Sequence, residues 1–322
     1  MISFGTVQRK YIIFAICLIV AIFEYRILWL IHKSHIIAVL EGSLGPVNGL
    51  TSVFAFKNRV LAGTIIQSIS KETGIPIVLS FDIFCIMSLA LANIVVFFSF
   101  LKQSKSERIA FQYLGFFIIL FLLLQDNFNI YAWDYSDLVI FSALVFGIVY
   151  RLPSSFFGLL FIIGIFNRES ALFIPVWMMI DSFKSKKEIS WGQMGFSFLL
   201  IGVGAGIIFF LRDYAHRLPS YRLFPDETIL GNHFYLFSNI NDLIANVMRF
   251  QLESVINIFL IAVLMLGVWK WRTMTLVSRK ITILLAVIII ANFLFGIINE
   301  TRIWLISIPL LLTVALSIDT NT

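Results

Sequence analysis

The sequence predicts an all-α polytopic membrane bundle of about ten transmembrane helices, several of them short or broken, with re-entrant or interfacial helices on one face. Composition is the first reason: 60% of the residues are hydrophobic, only 13% are charged, and the mean hydropathy is +0.96. Such a chain lies well outside the usage of soluble domains. The spacing of the apolar runs is the second, because each approaches the roughly 20 residues that span a hydrocarbon core. Basic residues are the third: they recur in short clusters between alternate runs. The 322 residues form a single integral membrane domain with no internal repeat.

The expected spans cover roughly 11–31, 76–101, 110–125, 138–150, 153–167, 170–182, 192–211, 253–270, 281–298 and 303–318. The first follows Arg9-Lys10 in the charge order of a signal sequence. It lacks a small-residue cleavage site and runs on through Glu24-Tyr25-Arg26, so it reads as an uncleaved span. Segment 153–182 decides the topology, since it forms either one long helix or two short ones broken at Asn167-Arg168-Glu169-Ser170. Two passes, with the N-terminus inside, put Arg9, Lys10, Lys102, Lys105, Arg108, Arg151, Lys184, Lys186, Lys187, Lys270, Arg272, Arg279 and Lys280 on the cytoplasmic side. A single pass moves two of these clusters outside, against the positive-inside tendency. The formal charge of +6 is therefore explained by cytoplasmic loops and carries no indication of nucleic acid.

Two outer segments are long enough for structure of their own. In 33–75, Asn58-Arg59-Val60-Leu61 opens apolar residues at helical spacing, which suggests a helix in the interface or re-entering it. In 212–252, Arg212, His216, Arg217, Arg222, Asp226 and Glu227 mix with Tyr214, Tyr221, Phe224 and Tyr235, a composition that suits a lid or an inert connector.

Charge inside apolar runs costs several kcal/mol by most estimates and usually lines a cavity. Three clusters of this kind fall on the outer side. Asn167, Arg168 and Glu169 sit where two short helices meet, and a guanidinium fork there suits phosphate. Alternatively, an Arg168–Glu169 or Arg168–Glu300 pairing only holds helices in register. Asp126, Asp134 and Asp137 surround Trp133 and Tyr135. A carboxylate at a cavity mouth can take a proton from a sugar hydroxyl or hold a divalent cation, and an aromatic face suits a sugar ring. Against this, Asp137 can cap a helix starting at Leu138, and Trp133 can belong to an aromatic belt. In Asn299-Glu300-Thr301-Arg302, Glu300 and Arg302 are expected to face Arg168 and Glu169 across the bundle, in a site or in a structural network.

Other features read as structural. Glu24 and Arg26 are expected to pair locally, Cys17 and Cys85 to act as small hydrophobes, and Gly202, Gly204 and Gly206 to form a packing face. His32, His35, His216 and His233 have no zinc-ligand spacing and read as surface residues; no cofactor is expected other than the divalent cation that the aspartates could hold.

Four short blocks, Asn58–Leu61, Trp133–Leu138, Asn167–Pro175 and Asn299–Arg302, resemble those of bacterial multi-pass GT-C-type glycosyltransferases and O-antigen or exopolysaccharide polymerases. The resemblance implies transfer of a sugar from a polyprenyl-phosphate or polyprenyl-diphosphate carrier to a glycan acceptor. It places this on the outer face of the bacterial cytoplasmic membrane, alongside other envelope polysaccharide proteins. Under that reading Asp134 is the base or orients the acceptor. Arg168 and Arg302 bind the departing phosphate, Glu169 and Glu300 orient those arginines, and Arg59, Trp133, Asp137 and Asn167 contact substrate. One departure is that the first outer segment offers only Glu41 and Glu72 where GT-C enzymes typically place a catalytic carboxylate. A lipid-linked sugar flippase and a non-catalytic scaffold are the competing readings.

Overall fold

A computed structural model describes residues 6–48, 59–125, 130–185, 188–216, 234–249, 251–296 and 300–319. Asn58, Asp126, Lys186, Lys187, Arg217, Tyr221, Arg222, Phe224, Asp226, Glu227, His233 and Asn299 lie outside them. Among the described residues the fold is all-α apart from one small antiparallel pair, β1 (Phe183–Ser185) with β2 (Glu188–Ile189). The helices are α1 (Thr6–Ile31), α2 (Ile36–Asn48), α3 (Leu61–Thr73), α4 (Ile77–Ser104), α5 (Glu107–Leu123), α6 (Ala132–Tyr150) and α7 (Ser154–Ile165). They continue with α8 (Phe173–Ser182), α9 (Trp191–His216), α10 (Leu236–Met248), α11 (Leu252–Trp269), α12 (Leu276–Phe295) and α13 (Ile308–Asp319). A tight 3-10 turn, Glu169–Leu172, precedes α8, and a longer one, Thr301–Ser307, precedes α13.

Among the described residues, six segments are long and apolar enough to cross a membrane: Gln8–Ile31, α4, α6, Trp191–Asp213, α12 and Thr301–Ile318. These make the chain a membrane protein. The other expected spans are also helical, as α5, α7, α8 and α11, of 17, 12, 10 and 18 residues.

Side-chain contacts fix the direction of each helix. Arg9 and Glu107 place the starts of α1 and α5 together, and the His32–Gln125 contact joins their ends. Lys102 of α4 lies over the Tyr150 ring at the end of α6, and Gln103 donates to the Thr313 carbonyl of α13. Asn167, just past α7, bonds Asp137 near the start of α6. The chain then turns and returns along α8 until Asp181 meets Lys280 at the start of α12, 2.8 Å away. Arg212 of α9 reaches back to Glu169, and Gly267 of α11 lies against Thr282 and Val314. Among the described residues, α1, α4–α9 and α11–α13 therefore run alternately between two ends. One end gathers Asp134, Arg168, Glu169 and Arg302 and is called the network end. The other gathers Lys102, Arg151 and Lys280 and is called the basic end. Helices α2, α3 and α10 lie at the network end, where Gly42 and Ser43 touch Tyr131 and Ala132, Val60 and Leu61 bond the Phe166 carbonyl, and Asn239 bonds Phe293 and Gly296.

Local chemistry explains the helix ends. Pro153 precedes α7 and Pro76 precedes α4, positions where a missing N–H costs nothing. Ser106 and Thr275 cap α5 and α12 by accepting from Ile109 and Ser278 backbone N–H groups. The break after α7 depends on Gly164, whose carbonyl accepts from the backbone N–H groups of both Asn167 and Arg168. A Cβ there would fall 2.9 Å from that of Ala171 on the returning strand of the turn. The interior is built by α6 and the 301–318 segment, while α9 is peripheral, with Phe198, Leu199, Phe209 and Phe210 exposed.

Four expectations are corrected. Helix α6 begins at Ala132, six residues before Leu138, so Asp137 does not cap it; the Asp134 carboxylate accepts from Tyr131 N–H and the Ser43 hydroxyl from Ala132 N–H, satisfying the first turn inside the protein. Glu24 does not pair with Arg26. It accepts from the Asn93 amide, and Arg26 instead sits 4.4 Å from the Trp29 ring centroid. His32 is buried rather than at the surface, with its Nε2 donating to the Gln125 carbonyl. Of the glycine face on α9, Gly204 packs on Phe161 and Leu172, whereas Gly202 and Gly206 face open space.

Candidate functional site

The site grows from the first two turns of α6. Helical spacing sets Asp134 and Asp137 on one face, three residues apart. Both turn toward the α7–α8 break, where backbone irregularity leaves room for polar side chains. Arg168 is extended there (φ −165°, ψ 155°), which aims its guanidinium back at α6. Its Nη1 lies 3.2 Å from Asp134 Oδ1 and 3.5 Å from Asp137 Oδ2. Asn167 Nδ2 donates to Asp137 Oδ1 at 2.7 Å and to the Trp133 carbonyl at 2.8 Å, and the Ser170 hydroxyl donates to Asp137 Oδ2 at 3.1 Å.

From the other side, the 3-10 turn before α13 delivers Arg302. Its Nη1 is 3.4 Å from Asp134 Oδ2, and its Nη2 is 2.8 Å from Glu300 Oε2. Asp134 is thus gripped by two guanidinium groups and the Tyr131 N–H, with its side chain 0% exposed. Expelling a carboxylate from water to that degree is tolerable only with such pairing. Tyr131, which composition did not single out, lies under Arg302 (4.9 Å to the ring centroid) and stacks on Trp133 at 4.4 Å. Arg59 also lies over the Trp133 ring, 5.2 Å from its centroid. Trp133 is fully buried by these neighbours, so its ring is a platform for arginine rather than a surface open to a sugar.

Glu169 begins the turn and pairs with Arg212 of α9 and, at 3.9 Å, with Arg59. The Arg168–Glu169 pairing that the sequence offered as a structural alternative does not form; Arg168 belongs to the two aspartates. Burial pushes the Glu169 carboxyl up, but Arg59 and Arg212 outweigh it and hold the group below the usual glutamate range. Burial, reinforced by the nearby positive charge of Arg168, brings Arg59 down to about 10, which leaves it cationic at neutral pH. Burial likewise raises Tyr131, keeping it a neutral phenol.

A cavity of about 380 Å³ opens on this network. Its polar wall is Arg59, Arg168, Arg212, Glu169 and Ser170, three guanidinium groups against one carboxylate. The apolar side chains Phe173, Phe295, Ile303 and Ile306 line it as well, together with Asn292. Asp134, Asp137 and Arg302 stand behind the polar wall and hold it. Glu300 sits at the edge, 39% exposed. Glu41 and Glu72 are exposed and outside the cavity. Arg212 completes the wall from 43 residues away in sequence, and only its charge near the end of an apolar helix marked it. Among the described residues no group of three His, Cys, Asp or Glu side chains is arranged to hold a metal. No protein family, curated protein or solved structure matches the chain.

Proposed function

We propose that the chain is a membrane glycosyltransferase or polysaccharide polymerase, transferring a sugar from a polyprenyl-(di)phosphate carrier to a glycan hydroxyl. In this reading all ten alternating helices cross the bacterial cytoplasmic membrane, the N-terminus is cytoplasmic, and the network end faces outward. The observation that carries it is the mixed lining of the cavity. An isoprenoid phosphate needs fixed cations beside apolar surface, and Arg59, Arg168 and Arg212 line the same cavity as Phe173, Phe295, Ile303 and Ile306.

The chemistry follows from which groups reach the cavity. An acceptor oxygen attacks the anomeric carbon while the bond from that carbon to the phosphate oxygen breaks. The electron pair and growing negative charge go to the phosphate, where Arg168 and Arg212 neutralise them. The hydroxyl proton passes to Glu169, the one carboxylate among the described residues of the cavity wall, ionised because its neighbours are arginines. Asp134, Asp137 and Arg302 are positioning residues that fix Arg168, and Glu300 does the same for Arg302.

The test is transfer from a synthetic polyprenyl-diphosphate sugar by the purified chain, together with glycan analysis of the deletion host. Glu169→Gln and Arg168→Ala should each abolish product at normal protein level. Unchanged product from both variants removes the assignment. A lipid-linked sugar flippase is the second reading, favoured by a second cavity at the basic end. The interior between the cavities argues against it, being closed by fully buried Leu138, Phe141 and Leu144 of α6.

A further inference from the structure

The cavity at the network end has one more polar side chain in its lining, and that side chain takes no part in the transfer step. Asn292, near the end of α12, lines the cavity together with Arg59, Arg168 and Arg212. One contact orients its amide. Nδ2 donates to the Ile303 carbonyl at 3.4 Å, and a carbonyl only accepts, so Oδ1 is the atom turned away from that contact. Asn292 is half-buried, and its side chain has no other hydrogen bond among the described residues. Oδ1 is therefore an unused acceptor. The backbone beneath it is braced: the Asn292 carbonyl accepts from Gly296 N–H, and Asn239 Nδ2 donates to the Phe293 and Gly296 carbonyls.

A phosphate cannot use this atom. Its oxygens accept hydrogen bonds, so they meet the guanidinium groups and gain nothing from a carbonyl oxygen. Arg168 commits only Nη1 to the aspartates, which leaves the rest of its guanidinium for such an anion. Glu169, held by Arg212 and Arg59, is reserved for the acceptor hydroxyl. A ligand that satisfies both the arginines and Asn292 carries a neutral hydrogen-bond donor beside its phosphate. We infer that Asn292 Oδ1 accepts from a ring hydroxyl of the donor sugar and so separates glycosyl phosphates from phosphate esters of simple alcohols. This rests on the proposed reading of the cavity and adds a specificity-determining residue to it.

The experiment is calorimetric titration of the full chain in detergent, with no acceptor present. The probes are the glucose, galactose and mannose esters of geranylgeranyl diphosphate, and its methyl ester, which has the same charge and tail but no hydroxyl. At least one sugar ester should bind about fivefold tighter than the methyl ester, the worth of one neutral hydrogen bond. Asn292→Leu should lower that ratio about fivefold while the methyl ester binds as before. Asn292→Asp keeps an acceptor, so it should keep the ratio while its charge weakens every ester alike; this reading does not depend on the leucine variant folding. Equal binding of all four esters overturns the inference and leaves the carrier reading standing. So does a ratio unchanged in Asn292→Leu, or lost in Asn292→Asp. Weakening of the methyl ester to the same degree in Asn292→Leu makes the residue a structural brace and also overturns it. Binding of none of the esters overturns both the inference and the carrier reading.

Discussion

At the network end, four arginines and four carboxylates are folded into one another, and Asp134, Asp137 and Arg302 are all but sealed from solvent. At the basic end, Lys102 and Arg151 stand in the open, and the pair between Arg9 and Glu107 is more than half exposed on each side. The same residue types therefore do different things. Buried charge is costly unless geometry is met on every side, so the network end has one workable arrangement and can aim a guanidinium precisely. Exposed charge is screened and adaptable, suited to a surface of phosphate headgroups but not to holding a leaving group.

The largest expected effect comes from removing the centre of the network. Asp134→Ala leaves Arg168 and Arg302 buried without their shared partner and should cost about 3–5 kcal/mol, read as a lowered thermal midpoint in detergent. If stability is unchanged, the two ends do not differ as described. Arg168→Lys keeps the charge but loses the planar guanidinium whose Nη1 meets both Asp134 and Asp137. It should lower sugar transfer by roughly 10²–10³ while the thermal midpoint moves far less.

Gly164→Ala sharpens the account of the helix break. Its Cβ would crowd Ala171, so the α7–α8 turn must open, at about 1–3 kcal/mol in unfolding experiments. Acidification separates the ends by titration. Because Glu169 lies below its ordinary value of 4.5, its ion pairs stabilise the fold above that value and are lost only as pH falls through the lower, folded one. Glu169→Gln should flatten that acid limb of a pH–stability curve. The smallest effect belongs to Glu107→Gln, expected within about 0.5 kcal/mol because the pair with Arg9 is solvent-screened.

The sequence made the helical segments and the charged clusters legible for one reason: ionic residues in apolar runs stand out against a low background. Asp134, Asp137, Arg168, Glu169, Glu300 and Arg302 meet in the fold because each interrupts a run near the same end. Partner choice was not legible. Arg168 chooses the aspartates over Glu169, and Arg212 takes Glu169, because an extended backbone at 168 and the length of α9 decide reach, and neither leaves a local pattern. Tyr131 was missed for the same reason: its importance comes from Trp133, Arg302 and Gly42 around it. The early start of α6 was hidden because Trp133-Asp134-Tyr135-Ser136-Asp137 reads as a polar loop until Ser43 and the α7–α8 turn satisfy it.

The direct test is accessibility across the α7–α8 hairpin. Native Cys17 and Cys85 are fully buried, so single cysteines can be introduced at Ser68 on α3 and at Lys184 in β1 and treated with a membrane-impermeant maleimide. Ser68→Cys is expected to label in intact cells, and Lys184→Cys only after the membrane is opened. Labelling of Lys184→Cys from outside an intact cell contradicts two crossings between Pro153 and Ser182, and with them the outward-facing site.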